Sequence, residues 1–199
     1  DAAETINFLI NLKSTHNCTF IRGNHDELCV NWLKKGDDNP TWFMHGGQAT
    51  IQSYNKLDKT AIKTHIQFFD QLENYYLDNK NRLFLHAGFT NLKGVDFEYF
   101  SKSFYWDRTL WELALSINPN LSKDHKYYPQ RLLQYKEVYI GHTPVTRIGK
   151  TTPQQGANVW NIDTGAAFKG PLSIINVDTK EVWQSDPVYT FYPNEIGRN

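Results

Sequence analysis

Over the first thirteen residues the apolar Ile6, Leu9 and Ile10, with the stem of Lys13, fall at helical spacing and Leu12 lies beside them, which predicts an opening helix over Asp1 to Lys13. Cys18 to Ile21 then forms a short run rich in β-branched and aromatic residues, which reads as a buried strand. Gly23 allows a sharp turn after it, and Asn24, His25 and Asp26 follow at the mouth of a helix from Glu27 to about Lys35, whose apolar face is Leu28, Val30, Trp32 and Leu33. The longest helical pattern runs from Thr60 to Leu77, with Ile62, Ile66, Phe69, Leu72 and Tyr76 on one stripe. Arg82 to Leu85 and Glu137 to Ile140 are further short apolar strands, and Thr109 to Ile117 is a helical stretch that Asn118-Pro119-Asn120 ends.

Past Ile140 the pattern changes. Val145 to Ile148, Val159 to Ile162, Leu172 to Val177 and Glu181 to Gln184 read as strands, with Asp178-Thr179-Lys180 as a hairpin turn. Strand alternating with helix early, then strands alone, predicts a parallel sheet followed by a second sheet that meanders antiparallel. The tail from Asp186 to Asn199, with Pro187 and Pro193, has no period and reads as a strap or a loose end.

Composition narrows the field. At 199 residues the chain suits one domain with a sizeable core. Its 21 basic and 21 acidic residues leave no broad electrostatic footprint for nucleic acid or an anionic membrane. Cys18 and Cys29 have neither C-x-x-C spacing nor the density of a disulfide scaffold, so both are expected as reduced core residues of a cytoplasmic protein. No apolar run approaches the roughly 20 residues of a membrane span.

The candidate chemistry sits at strand ends. One strand runs into Asn24, His25 and Asp26, a second into His86-Ala87-Gly88, a third into Gly141-His142-Thr143. A lone histidine is usually structural, as expected here for His45 and for His65, the latter a packed or half-exposed residue beside the helical stripe. Parallel strands, however, bring their carboxyl ends to one edge, and nitrogen and oxygen side chains converging there form a metal site.

These blocks carry a resemblance. Arg22-Gly23-Asn24-His25-Asp26, His86-Ala87-Gly88 and Gly141-His142-Thr143 resemble the last three of five signature blocks of the calcineurin-like metallophosphoesterases, and Arg22 points to the serine/threonine protein phosphatase branch. The segment from Gly46 to Tyr54 resembles the GG-x-x-T-x-x-S-Y of bacterial members, Trp106-Asp107-Arg108 their W-x-R, and Ile162 to Ala166 their I-D-T-G-A. The resemblance implies an α/β fold of two facing mixed sheets flanked by helices, and metal-dependent hydrolysis of phosphate monoesters by a hydroxide bridging two manganese, iron or zinc ions. It implies Asn24, His86 and His142 as metal ligands, with Asn24 and Arg108 binding the phosphoryl group. His25, Asp26 and Arg108 form the catalytic set: His25 as general acid, Asp26 as a capping or supporting carboxylate, Arg108 as a phosphate clamp. Asp163 is expected in an Asx-type turn rather than in catalysis.

The family's first two blocks, Asp-x-His and Gly-Asp-x-x-Asp-Arg, are expected before the opening helix and are not in this sequence. By the family pattern the chain is then a single domain, 1–199, incomplete at its amino end and lacking its first strands. It is expected to hold at most one metal and to be inactive as written, within an active parent. The expected substrate is a phosphorylated protein. The alternatives are a dinucleoside polyphosphate or other small phosphoester, or a binding module that has lost catalysis.

Overall fold

A computed structural model describes residues 1–192, so the end of the tail, with Pro193, lies outside the described residues. The chain divides into two compact units, residues 1–73 and the remainder from Asn74.

The first unit is helical. Its elements are α1 (Ala2–Thr15), α2 (Asn24–Lys35), α3 (Pro40–Trp42), α4 (Gln48–Tyr54) and α5 (Lys59–Asp70). Asp1 caps α1 by accepting the Glu4 N–H, and Asp58 caps α5 by accepting the Ala61 N–H, each satisfying an otherwise unpaired donor of a first turn. Ala3, Ile6, Cys29, Val30, Trp42, Tyr54, Phe68 and Phe69 form its buried core. Burial pushes the Cys29 thiol up to about 12, with the Asp26 charge adding to it, so this cysteine is a packing residue. Cys18 is half-buried rather than core.

Two expectations change here. Cys18 to Ile21 forms no strand ladder among the described residues: it makes an isolated parallel bridge, Ile21 to Glu73, in which the Glu73 N–H donates to the Phe20 carbonyl and the Glu73 carbonyl accepts from the Arg22 N–H. The helix expected over Thr60 to Leu77 ends at Asp70, where the Gln71 N–H closes onto the Phe68 carbonyl. Tyr76 is on a strand instead, since aromatic side chains fit a pleated surface and find cross-strand partners there.

The second unit carries β1 (Tyr75–Leu77), β2 (Arg82–Leu85), α6 (Ser103–Trp106), α7 (Thr109–Ser116), β3 (Glu137–Ile140), β4 (Gln154–Gly156), β5 (Val159–Asn161), β6 (Pro171–Ile175) and β7 (Val182–Pro187). Five of these strands make one mixed sheet in the order β1-β2-β3-β5-β4. The three inner strands run parallel, and β1 and β4 run antiparallel at the edges. The chain is thus an α/β protein, and its second sheet is the antiparallel pair β6 and β7.

Period-two alternation splits the side chains of the larger sheet between its faces. Leu83, Leu85, Val138, Ile140 and Val159 join Phe89, Leu110, Trp111 and Leu132 in the core. On the other face the rings of Phe84 and Tyr139 stack at 4.9 Å, and those of Tyr139 and Trp160 at 6.5 Å. Lys180, in the turn between β6 and β7, lies over Tyr139 and Trp160 and pairs with Glu137 at 2.7 Å, which fastens the hairpin to this aromatic row.

Two further differences concern short segments. Val145 to Ile148 is a 3-10 turn rather than a strand, set between Pro144 and the left-handed Gly149. Strand β4 escaped the sequence pattern because Gln154, Gln155 and Gly156 lack β-forming side chains. It forms because a Cβ on Gly156 would come within 2.8 Å of the Ala114 carbonyl, so only glycine lets it lie against α7. No helix among the described residues is long and apolar enough to cross a membrane.

Candidate active site

Strands β2 and β3 are parallel neighbours, so the residues that follow them emerge side by side. The Gly141 N–H continues the ladder by donating to the His86 carbonyl at 2.8 Å. His142 then takes a left-handed backbone, φ +66, at a cost of about 1–2 kcal/mol for a residue with a Cβ. Strain of this kind persists where surrounding structure holds it and clusters at functional sites. Here Asn161 donates to the carbonyl of Thr143 at 2.8 Å, and Val145 donates to that of Asp163 at 2.9 Å, which pins the turn on both sides.

The outcome is a pair of imidazoles. His86 Nε2 and His142 Nδ1 face each other at 3.2 Å, with ring centroids 5.1 Å apart. The Trp106 ring stands edge-on to His142 at 6.0 Å, and Ala87 donates to the Phe104 carbonyl, tying α6 to the end of β2.

The pair fits a divalent metal. Two nitrogens each about 2.0–2.1 Å from one tetrahedral ion stand about 3.3 Å apart. Without protons between them they chelate; with one proton they form a hydrogen bond. Among the described residues no three His, Cys, Asp or Glu side chains gather to hold a metal by themselves.

Arg108 stands at the start of α7 and is exposed. Asp107 does not pair with it. Its carboxylate accepts N–H groups of Thr109 and Leu110 and the Thr109 hydroxyl, capping α7. Among the described residues Arg108 has no ion-pair partner, which leaves its fork available for an anion. A Cβ on Gly88 would collide with the Asp107 carboxylate, so that glycine lets the loop after His86 close against the start of α7. Buried Arg131 strengthens the same junction, donating to the Phe89 carbonyl at 2.8 Å and to the Thr109 hydroxyl at 3.0 Å.

In the first unit, Asn24 and His25 occupy the first turn of α2, Asn24 buried and His25 half-buried. Asp26 accepts the Gly23 N–H at 2.7 Å. Burial raises its pKa, against the opposing pull of that N–H and of Arg22. Arg22 is engaged by Glu27 at 2.9 Å and by the Phe69 carbonyl at 2.9 Å. Asp163 accepts the Gly165 N–H at 3.0 Å in an Asx-type turn.

Sequence reasoning missed Arg131 and the contact of Trp106 with His142. A buried arginine 22 positions past Thr109 leaves no local signal, since its partners exist only once the chain is folded.

The fold and the paired histidines place the chain in a class: it belongs to the calcineurin-like phosphoesterase family, whose profile matches residues 1–150. That family's chemistry is metal-dependent hydrolysis of phosphoesters. Among solved structures the chain is similar to one titled "Crystal structure of a putative diadenosine tetraphosphatase", with 15% identity, a TM-score of 0.56, and coverage of 93% of this chain and 73% of that one. At that identity the likeness concerns the fold. No curated protein sequence matches.

Proposed function

We propose that the protein is a phosphomonoesterase of the serine/threonine protein phosphatase branch, with His86, His142 and the Asn24 amide oxygen as ligands of one metal. The observation that carries the reading is the 3.2 Å approach of two imidazole nitrogens at the carboxyl ends of adjacent parallel strands. Nitrogen and amide-oxygen donors suit manganese, iron or zinc better than calcium. Such ions, when bound, supply an activated water and neutralise phosphoryl oxygens.

The remaining steps belong to the chain. Arg108 binds two phosphoryl oxygens through its guanidinium fork and orients the ester for in-line attack. His25 holds a proton at a ring nitrogen and delivers it to the leaving alkoxide. Asp26, which secures the Gly23 backbone, keeps the first turn of α2 in place and thereby positions Asn24 and His25. The order and spacing of the Arg22 to Asp26, His86 and His142 blocks support the branch, as do Trp106 and Arg108. The free thiols of Cys18 and Cys29 accord with a cytoplasmic setting, which is part of the proposal.

A second reading, hydrolysis of a dinucleoside polyphosphate or another small phosphoester, is favoured by the description of the similar solved structure. Because the chain as given is proposed to be inactive within an active parent, rates of that parent on a phosphoserine peptide and on diadenosine tetraphosphate, with manganese added, separate the two. The branch proposal expects faster turnover of the peptide and a loss of about 10²-fold or more with Arg108→Ala. Preference for the dinucleotide overturns the branch, and hydrolysis of neither by the parent overturns the enzyme reading.

A further inference from the structure

Beyond the histidine pair, the second unit holds a cavity of about 820 Å³ whose walls come from the turn after β3, the loop between β5 and β6, and strand β7. We propose that this cavity binds a nucleoside di- or triphosphate through residues separate from His86, His142 and Arg108. Its volume lies in the range of small-ligand sites, about 300–1,000 Å³.

Its charge is one-sided. Arg147 and Lys169 line it, no acidic residue is among the described residues of its wall, and neither cation has an ion-pair partner among the described residues. Two cations facing one cavity suit a ligand with more than one anionic group, and the arginine fork suits phosphate in particular. The rest of the lining is in large part apolar and flat: Pro144, Pro171, Pro187 and the Phe168 ring. Three prolines bring no backbone N–H, so an extended peptide would find little main-chain pairing there, whereas a nucleobase finds ring faces on which to pack.

The walls are joined to one another, so the cavity is formed before any ligand arrives. Gln184 of β7 donates to the Thr151 carbonyl at 2.7 Å, and Val188 donates to the Gly170 carbonyl at 3.3 Å. A Cβ on Gly170 would collide with the Thr164 carbonyl, and one on Gly165 would press on Thr146 at 3.1 Å, so the β5–β6 loop is closed tightly by its glycines. A preformed cavity spares the ligand the cost of ordering its site.

Calorimetric titration of the full chain with ADP in the presence of a chelator tests the proposal. The chelator removes any contribution of bound metal, so failure of the hydrolase reading would leave this result standing. Saturable binding is expected, tighter than for adenosine or inorganic phosphate. The Arg147→Ala, Lys169→Ala double variant should weaken it by about tenfold or more, with an unchanged thermal midpoint because both side chains are exposed. His86→Ala should leave it intact. No saturation at millimolar ADP, indifference to the double variant, loss with His86→Ala, or equal affinity for a phosphoserine peptide would each overturn the assignment.

Discussion

His86 Nε2 stands 3.2 Å from His142 Nδ1, although 56 positions separate the two residues. Such a pair has a direct spectroscopic consequence. Cobalt(II) added to the protein should give visible absorption of a nitrogen-ligated ion, and His86→Ala or His142→Ala should weaken cobalt binding by about tenfold or more. His45→Ala, at an exposed position, should leave the titration as it was. Equal cobalt affinity in all four proteins would remove the histidine pair from the metal site.

Gly88 closes the loop after His86 against the start of α7. In Gly88→Ala the new Cβ would meet the Asp107 carboxylate and stand 3.1 Å from Leu110 Cβ, both in a packed junction. Overpacking of this kind costs about 1–3 kcal/mol. A lower thermal midpoint is expected, together with slower phosphoester hydrolysis by the active parent protein beyond what stability explains, because Arg108 adjoins the displaced cap. A variant as stable and active as the parent would show that the junction yields freely.

His65 is fully buried in the first unit between Tyr54, at 3.0 Å, and the Asn7 side-chain oxygen, at 2.8 Å. With Asn7 accepting, Nε2 carries the proton and Nδ1 accepts from the tyrosine hydroxyl. Burial lowers its pKa. The unfolded chain takes up a proton at this residue near pH ~6.5 and the folded one resists it, so stability falls as pH drops below about 6.5. Thermal melts between pH 7.5 and about 5 should show a shallower acid loss for His65→Gln than for the parent. Parallel slopes would mean that His65 charges freely in the fold.

Glu98 ties the loop after His86 to the aromatic segment that follows. Its carboxylate accepts N–H groups of Thr90 at 2.5 Å and Asn91 at 3.1 Å, besides the Thr90 hydroxyl. Burial acts to raise its pKa, but these donors prevail and hold it below the usual range. The contribution is therefore present above the unfolded pKa, about 4.3, and is lost as pH falls through the lower folded value. Glu98→Gln should cost about 0.5–1.5 kcal/mol at neutral pH and speed proteolysis within 91–100. Its deficit should shrink in acid, and a deficit that stays constant down to pH ~3 would contradict the linkage.

Several elements were legible along the chain because their causes are local. Strands β2 and β3 stand where short apolar runs precede glycine and histidine, and α1, α2 and α7 begin and end within a few residues of their predicted bounds. The Asx-type turn at Asp163 is also local, since a carboxylate reaches an N–H two residues on. Segments with a non-local cause were misread. Tyr76 continued a helical stripe, yet Phe84 opposite it drew it into a strand. Val145 to Ile148 has β-branched residues, yet Pro144 before it and the left-handed Gly149 after it close it as a 3-10 turn.

The candidate site divides in the same way. Residue types and their order, read with the family resemblance, single out Asn24, His25, His86, Arg108 and His142 as candidates, because imidazole and amide side chains bring donor atoms and arginine brings a fork for phosphate. Folding alone decided that His86 and His142 meet at 3.2 Å, that Asp107 caps α7 instead of neutralising Arg108, and that Arg131 braces the loop between them. Donor chemistry resides in single side chains and is written in their identities. Distance and partnership depend on strand pairing and glycine-sized clearances between segments far apart in the chain, which no local stretch records.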